Sequence, residues 1–323
     1  MSKQEEEKED HFPKDENTDI LKIKNSYNSK KPTWWKRVAG RRGSKSQRRS
    51  ILNMTEAGYV IPTKIGKLDH ELSMSKLFQS DVLGTPLQAN DILIPKSSCS
   101  NPPDFQGIVN LELGFGLGDN LLTLAMKYPQ QYYLGAEIHS PGVGTALGRM
   151  EEALKSNSYW MEQSWFDTDH KERILSNQTN IPNQKPYDNL RIFPGDGVKL
   201  LSSLPDQSID AIYVTFPDPF PKESDVDFRL IQEETLSSFA RILKRGGCFY
   251  LATDAPSFDE WTMQIFNRVM MKHNPNHLED HKTGWQVVMP CPDRNLWLPV
   301  VSKYEEKGIH EGRRTMCRCW RYV

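Results

Sequence analysis

From Ile108 to Thr253 short apolar runs alternate with stretches of helical spacing, and this alternation restricts the fold more than any other feature of the chain. Ile108–Leu113, closed by glycines, Tyr132–Ile138, Leu190–Phe193, Ile209–Phe216 and Cys248–Thr253 read as strands. Leu117–Tyr128, Val143–Leu154, Leu230–Leu243 and Phe258–Met271 have the spacing of helices, the third stopped by Gly246-Gly247. Two more strands are expected at Trp285–Met289 and Thr315–Tyr322. Strands separated by helices are joined by crossovers, so the sheet is mostly parallel, covered on both faces and doubly wound. Ligands in such sheets bind beyond the carboxyl ends of the strands.

At 323 residues the chain suits one large domain with appendages. No apolar run is long enough to span a bilayer, and the Glu- and Lys-rich start is unlike a secretory or transit signal, so a soluble cytosolic or nuclear protein is expected. Cys99, Cys248, Cys291, Cys317 and Cys319 lack CxxC spacing, which suits reduced thiols rather than a zinc site. The net charge of -1 hides a segregated layout. An acidic stretch to residue 19 precedes a basic arm with Lys30, Lys31, Lys36, Arg37, Arg41, Arg42, Lys45, Arg48 and Arg49. Trp34 and Trp35 lie inside the arm, a composition that suits either a polyanion with stackable bases or a solubilising terminus. Residues 1–50 are expected to be a disordered extension, 51–106 a lead-in of short helices and loops, and 107–323 the main domain. Within that domain about 155–188 is long for a connection and reads as a surface insertion.

Gly114-Phe-Gly-Leu-Gly118 follows the first strand and opens a helix. A dinucleotide fingerprint requires glycine where this chain has Asp119, so the loop does not suit NAD or a pyrophosphate. Glu112 just before it would repel phosphate but suit an ammonium or sulfonium group. Glu137 ends the second strand at the usual distance for an acid that bonds ribose hydroxyls. Asp196, in Pro194-Gly-Asp-Gly197 after the third strand, suits an adenine amino group. Together they fit S-adenosylmethionine, a phosphate-free adenosyl cation.

After the fourth strand Thr215-Phe-Pro-Asp-Pro-Phe-Pro-Lys222 sets Asp218 between two prolines. Proline fixes its own φ and keeps the preceding residue extended, so this loop is stiff and suited to holding a reacting group.

Several stretches resemble the TrmB type of tRNA (guanine-N7)-methyltransferase. They are Leu111-Glu-Leu-Gly-Phe-Gly-Leu-Gly118, Gly135-Ala-Glu-Ile-His-Ser-Pro-Gly-Val-Gly144, Phe216-Pro-Asp-Pro219, Ala252-Thr-Asp254 and Ser302-Lys-Tyr-Glu-Glu-Lys-Gly308. The resemblance runs from about residue 107 to 310 and implies a class I S-adenosylmethionine-dependent methyltransferase fold: Rossmann-like, with seven mostly parallel strands and an antiparallel strand at the edge. It implies methyl transfer to the variable-loop guanosine of tRNA, conventional position 46. It further implies cofactor contacts at Glu112, Gly114, Gly116, Gly118, Glu137, His139 and Asp196, a catalytic role for Asp218, and a guanine side lined by Lys222, Asp254, Ser302 and Glu305. No metal is expected. A WD-repeat partner subunit, as in eukaryotic members, is not favoured, because Ile138-His-Ser-Pro-Gly-Val-Gly144 is nearer the bacterial form.

The chain departs from that family after Pro219, where Glu223-Ser-Asp-Val-Asp227 replaces a basic segment. Lys222 and Arg229 remain, and the N-terminal arm with Arg313, Arg314 and Arg318 is expected to restore attraction for phosphates. Asn101-Pro-Pro-Asp-Phe105 lies ahead of the first strand and reads as a turn, not an amino-methyltransferase signature. His273, His277 and His281 are separated by Pro275, which breaks any helix that would align them on a metal. Two rival readings stand beside the main one. One is a methyltransferase of the same fold acting on a protein or small molecule; the other is a non-catalytic tRNA-binding module.

Overall fold

The computed structural model describes residues 43–65, 70–78, 83–95, 105–156, 185–273 and 284–323. The acidic stretch, most of the basic arm, Asn101-Pro-Pro-Asp104, the core of the proposed insertion, His277 and His281 lie outside them.

The first described element is a helix, α1 (Lys45–Glu56), so the extension expected to reach residue 50 gives way to structure at its end. Its start is a capping box: Ser44 Oγ accepts from Gln47 N at 3.3 Å, and Gln47 Oε1 accepts from Ser44 N at 2.8 Å. Lys45, Arg48 and Arg49 thus ride on a helix packed against the main domain. Two short strands, β1 (His70–Leu72) and β2 (Leu93–Pro95), pair antiparallel, with the short helices α2 (Met74–Phe78) and α3 (Ala89–Ile92) between them.

The main sheet comprises β3 (Val109–Leu113), β4 (Tyr132–Ala136), β5 (Leu190–Phe193), β6 (Ile209–Thr215), β7 (Leu243–Thr253), β8 (Trp285–Val287) and β9 (Met316–Tyr322). Its order is β5-β4-β3-β6-β7-β9-β8. The strands from β5 through β7 are parallel, and β9 runs antiparallel between β7 and β8 at one margin. This is the class I methyltransferase fold expected from the sequence.

Alternate residues face two cores. Leu111, Leu113, Leu134, Ile212 and Val214 meet α6 (Gly197–Ser203), α7 (Glu233–Ile242) and α8 (Pro256–His273) on one face. Tyr133 and Tyr213 meet α1, α4 (Asp119–Lys127) and α5 (Ser140–Ser156) on the other. Gln47 of α1 donates to Pro141 O at 3.1 Å and Thr145 Oγ1 at 2.9 Å of α5, and a Cβ at Gly144 would strike Gln47.

One expected boundary is corrected. The helix after β6 ends at Ile242, and Gly246-Gly247 lies within β7, whose register with β6 shifts between Ile209 and Ala211. The glycines serve an irregular strand rather than a helix stop. The remaining helices, α9 (Arg294–Trp297) and α10 (Lys303–His310), precede β9 and so stand at the carboxyl ends of the parallel strands.

Candidate active site

Topology brings the sequence candidates to one edge. Glu112 lies near the end of β3, Glu137 follows β4, Asp196 follows β5, Asp218 follows β6 and Asp254 follows β7. Ser302 and Glu305 arrive at the same edge with α10.

Glu112 is only 1% exposed. Thr215 Oγ1 donates to its Oε1 at 2.9 Å and Asn120 Nδ2 to its Oε2 at 3.4 Å. Burial pushes the Glu112 carboxyl up to about 7, and those two bonds only partly oppose the rise. No cation pairs with it among the described residues, and Asn120 Oδ1 is buried without a partner. A site with these unused acceptors suits an ammonium or sulfonium ligand.

Gly114, Gly116 and Gly118 have φ of 73°, 60° and 84°, a left-handed path that glycine follows at no steric cost. Gly116 N donates to Glu137 Oε2 at 2.8 Å, and His139 N donates to Glu137 Oε1 at 2.7 Å. Burial raises the Glu137 pKa while these backbone donors oppose it. The carboxylate therefore ties the glycine loop to the start of α5, and a Cβ at Gly142 would strike Gly116 O. Asp119, the residue that breaks the dinucleotide fingerprint, opens α4 and pairs with Arg149 at 2.8 Å. Asp196 caps α6 by accepting from Val198 N at 3.0 Å.

The edge beyond β6 is built differently. Phe216 and Phe220 have φ of 49° and 42°. Such a backbone costs about 1–3 kcal/mol per residue and persists only where the surroundings impose it. Asp218 stands exposed between them, its Oδ1 accepting from Phe220 N at 3.4 Å. Lys222 is exposed just before a 3-10 turn formed by Glu223–Phe228. Arg229, which with Lys222 remains of the family's basic segment, is 6% exposed and donates to Pro219 O at 2.9 Å and Phe220 O at 3.1 Å.

Asp254 accepts from Arg313 Nε at 2.8 Å. Ser302 Oγ caps α10 by accepting from Glu305 N at 3.2 Å. Glu305, 2% exposed, is gripped by both ends of the Arg294 fork at 2.6 and 2.9 Å and accepts from Thr315 Oγ1 at 2.7 Å. The bond to Glu305 holds the Arg294 guanidinium above its ordinary pKa. Ser302 and Glu305 thus have structural partners at the same edge. Arg318 is also committed, forked onto Asp259 at 2.9 and 2.7 Å, so Arg313 and Arg318 are ion-paired rather than waiting for phosphate.

Asn120, Thr215 and Tyr304 were not singled out by sequence. Tyr304 lies over the glycine loop, where a Cβ at Gly116 would sit 2.9 Å from its ring. Thr215 begins the very stretch that holds Asp218, which was the available signal for its role.

Residues 106–317 match the family model described as "Putative methyltransferase". A tRNA (guanine-N(7)-)-methyltransferase of Bartonella quintana (strain Toulouse) is 29% identical over 263 residues, covering 76% of this chain and 95% of its own. Another, of Serratia proteamaculans (strain 568), is 31% identical over 203 residues, covering 62% of this chain and 67% of its own. Among solved structures, the 16S rRNA methyltransferase KamB aligns at 12% identity over 71% of this chain and 90% of its own, with a TM-score of 0.40. The chain belongs to the tRNA (guanine-N7)-methyltransferase family.

Proposed function

We propose that this protein transfers a methyl group from S-adenosylmethionine to N7 of the variable-loop guanosine, position 46, of tRNA. The observation that carries this reading is a buried carboxylate with no cation paired to it among the described residues, beside a left-handed glycine loop, on the same sheet edge as an exposed carboxylate in a strained proline loop. S-adenosylmethionine supplies an electrophilic methyl group on a sulfonium when bound.

Glu112, once ionised, offsets the positive charge of that ligand. Glu137 is aimed by two backbone N–H groups and accepts from ribose hydroxyls, with His139 fixing its far side. A carboxylate has about four lone-pair sites, so Asp196 accepts from an adenine amino group while it caps α6. Gly114, Gly116 and Gly118 let the backbone come close to the ligand.

Guanine N7 is a bare lone pair, so no proton leaves it and no strong base is needed. The protein's task is alignment and charge stabilisation. Asp218 performs both by accepting from the N1–H and N2–H donors of guanine and offsetting the charge that develops on the purine. Lys222 and Asp254 line the approach of the base, while Ser302 and Glu305 hold α10 as its wall. The sequence form favours action without a WD-repeat partner.

The reading is tested by incubating the protein with labelled S-adenosylmethionine and unmodified tRNA, a protein mixture, or small-molecule acceptors. Label released by ribonuclease and not by protease is expected. Label in protein or small molecules, or tRNA binding without transfer, would overturn it.

A further inference from the structure

We infer that Arg229 is a positioning residue for the transfer reaction, holding the loop from Thr215 to Lys222 so that Asp218 is presented to the base. The inference rests on the reading of Asp218 given above. Arg229 grips two successive carbonyls, Pro219 O and Phe220 O, immediately after Asp218. A planar guanidinium fork can hold two acceptors in one orientation, which a lysine ammonium does less rigidly.

The fork is itself fixed. Its carbon lies 5.1 Å from the centre of the Trp261 ring, and Trp261 Nε1 donates to Ile231 O at 2.8 Å. Arg268 stands 5.6 Å from the same ring. The support therefore passes from α8 through Trp261 and Arg229 to the strained backbone at Phe220.

Among the described residues no carboxylate pairs with Arg229. Burying a cation is costly, and here the offsetting partners are two loop carbonyls and an aromatic face. Its burial also removes Arg229 from the surface on which a phosphate would land.

The test uses the full chain with Arg229→Lys, Arg229→Ala and, as an independent route, Trp261→Leu. Single-turnover transfer is measured at saturating S-adenosylmethionine and tRNA, alongside cofactor affinity and the salt dependence of tRNA binding. Arg229→Ala is expected to slow transfer about tenfold to a hundredfold, with Arg229→Lys intermediate and cofactor affinity and salt slope unchanged. In an Asp218→Asn background the Arg229 replacement should add little, because both act through one group. Fully additive losses, or an unchanged saturated rate with a salt slope reduced by about 0.7–0.9, would overturn the inference and make Arg229 a phosphate contact.

Hydrogen exchange at Phe216, Asp218 and Phe220 separates this inference from the functional reading. Faster exchange in each variant is expected whether or not the wild type methylates tRNA. Unchanged exchange would overturn the positioning role even if transfer is found.

Discussion

Glu137 and Asp218 are both carboxylates that follow strands of one parallel sheet, yet they are held in opposite ways. Glu137 is buried and receives two short bonds from backbone N–H groups within 21 residues of it. Asp218 is exposed and, among the described residues, receives a single long one from its own loop. Around Glu137 the chain closes on itself through glycines. The region of Asp218, Asp254 and Glu305 depends instead on arginine side chains: Arg229, Arg313 and Arg294. Under the proposed function, the contrast separates a cofactor side whose carboxylate is already held by the backbone from an open shelf that receives the base. It also predicts that damage on the two sides will register in different measurements.

The largest effect is expected at Asp218→Ala. Transfer should fall by about 10²- to 10³-fold, the usual loss when one electrostatic stabiliser is removed. S-adenosylmethionine affinity, measured by calorimetry, should stay nearly intact; an equal loss of affinity would merge the two regions. Arg294→Ala should cost about 3 kcal/mol of stability by stranding the buried Glu305 carboxylate. Denaturant unfolding checks this, and a change under 1 kcal/mol would mean that Glu305 is supported some other way.

Glu137→Ala should weaken cofactor binding about tenfold to a hundredfold, the range for hydrogen bonds to a charged group. Unchanged affinity would remove the ribose assignment. The next effect is pH-dependent and belongs to Glu112, whose carboxyl titrates at about 7 in the folded chain. Because that pKa is raised, the unliganded protein should lose stability as pH rises from the ordinary carboxylate range to about 7, and change little above. Cofactor affinity should run the other way, rising by up to about tenfold per unit below 7 and levelling above it. Glu112→Gln should flatten both profiles.

The smallest effect expected is at Arg318. Because it is already forked onto Asp259, Arg318→Gln should leave the salt slope of tRNA binding unchanged. A drop of about 0.7–0.9 would instead count it as a phosphate contact and extend the open shelf to β9.

The contrast also explains what could be read in advance. The proposed cofactor side could be assembled from sequence because its parts are local. A strand closed by glycines, an acid before the loop and an acid after the next strand specify one another over about 25 residues. The Asp218 loop was legible for the same reason, since its prolines announce its stiffness.

Arg294 and Glu305 carry no shared pattern, and only folding reveals that one neutralises the other. The burial of Arg229 was not legible, because a basic residue near an acidic stretch gives no sign of it. The α1 helix was missed under a charge run that lacks apolar periodicity, although Ser44-Lys-Ser-Gln47 spells a capping box. Gly246-Gly247 read as a helix stop because a strand bulge and a helix terminus use glycine for the same conformational freedom.

The most direct test of the central claim, that the open shelf presents guanine N7, is to locate the methyl group. Unmodified tRNA treated with the wild-type protein and S-adenosylmethionine is cleaved chemically at N7-methylguanine and the fragments are sized. One cut at the variable-loop guanosine is predicted. Incorporated methyl without cleavage would mean that another atom was modified, and would contradict an Asp218 that orients guanine for attack through N7.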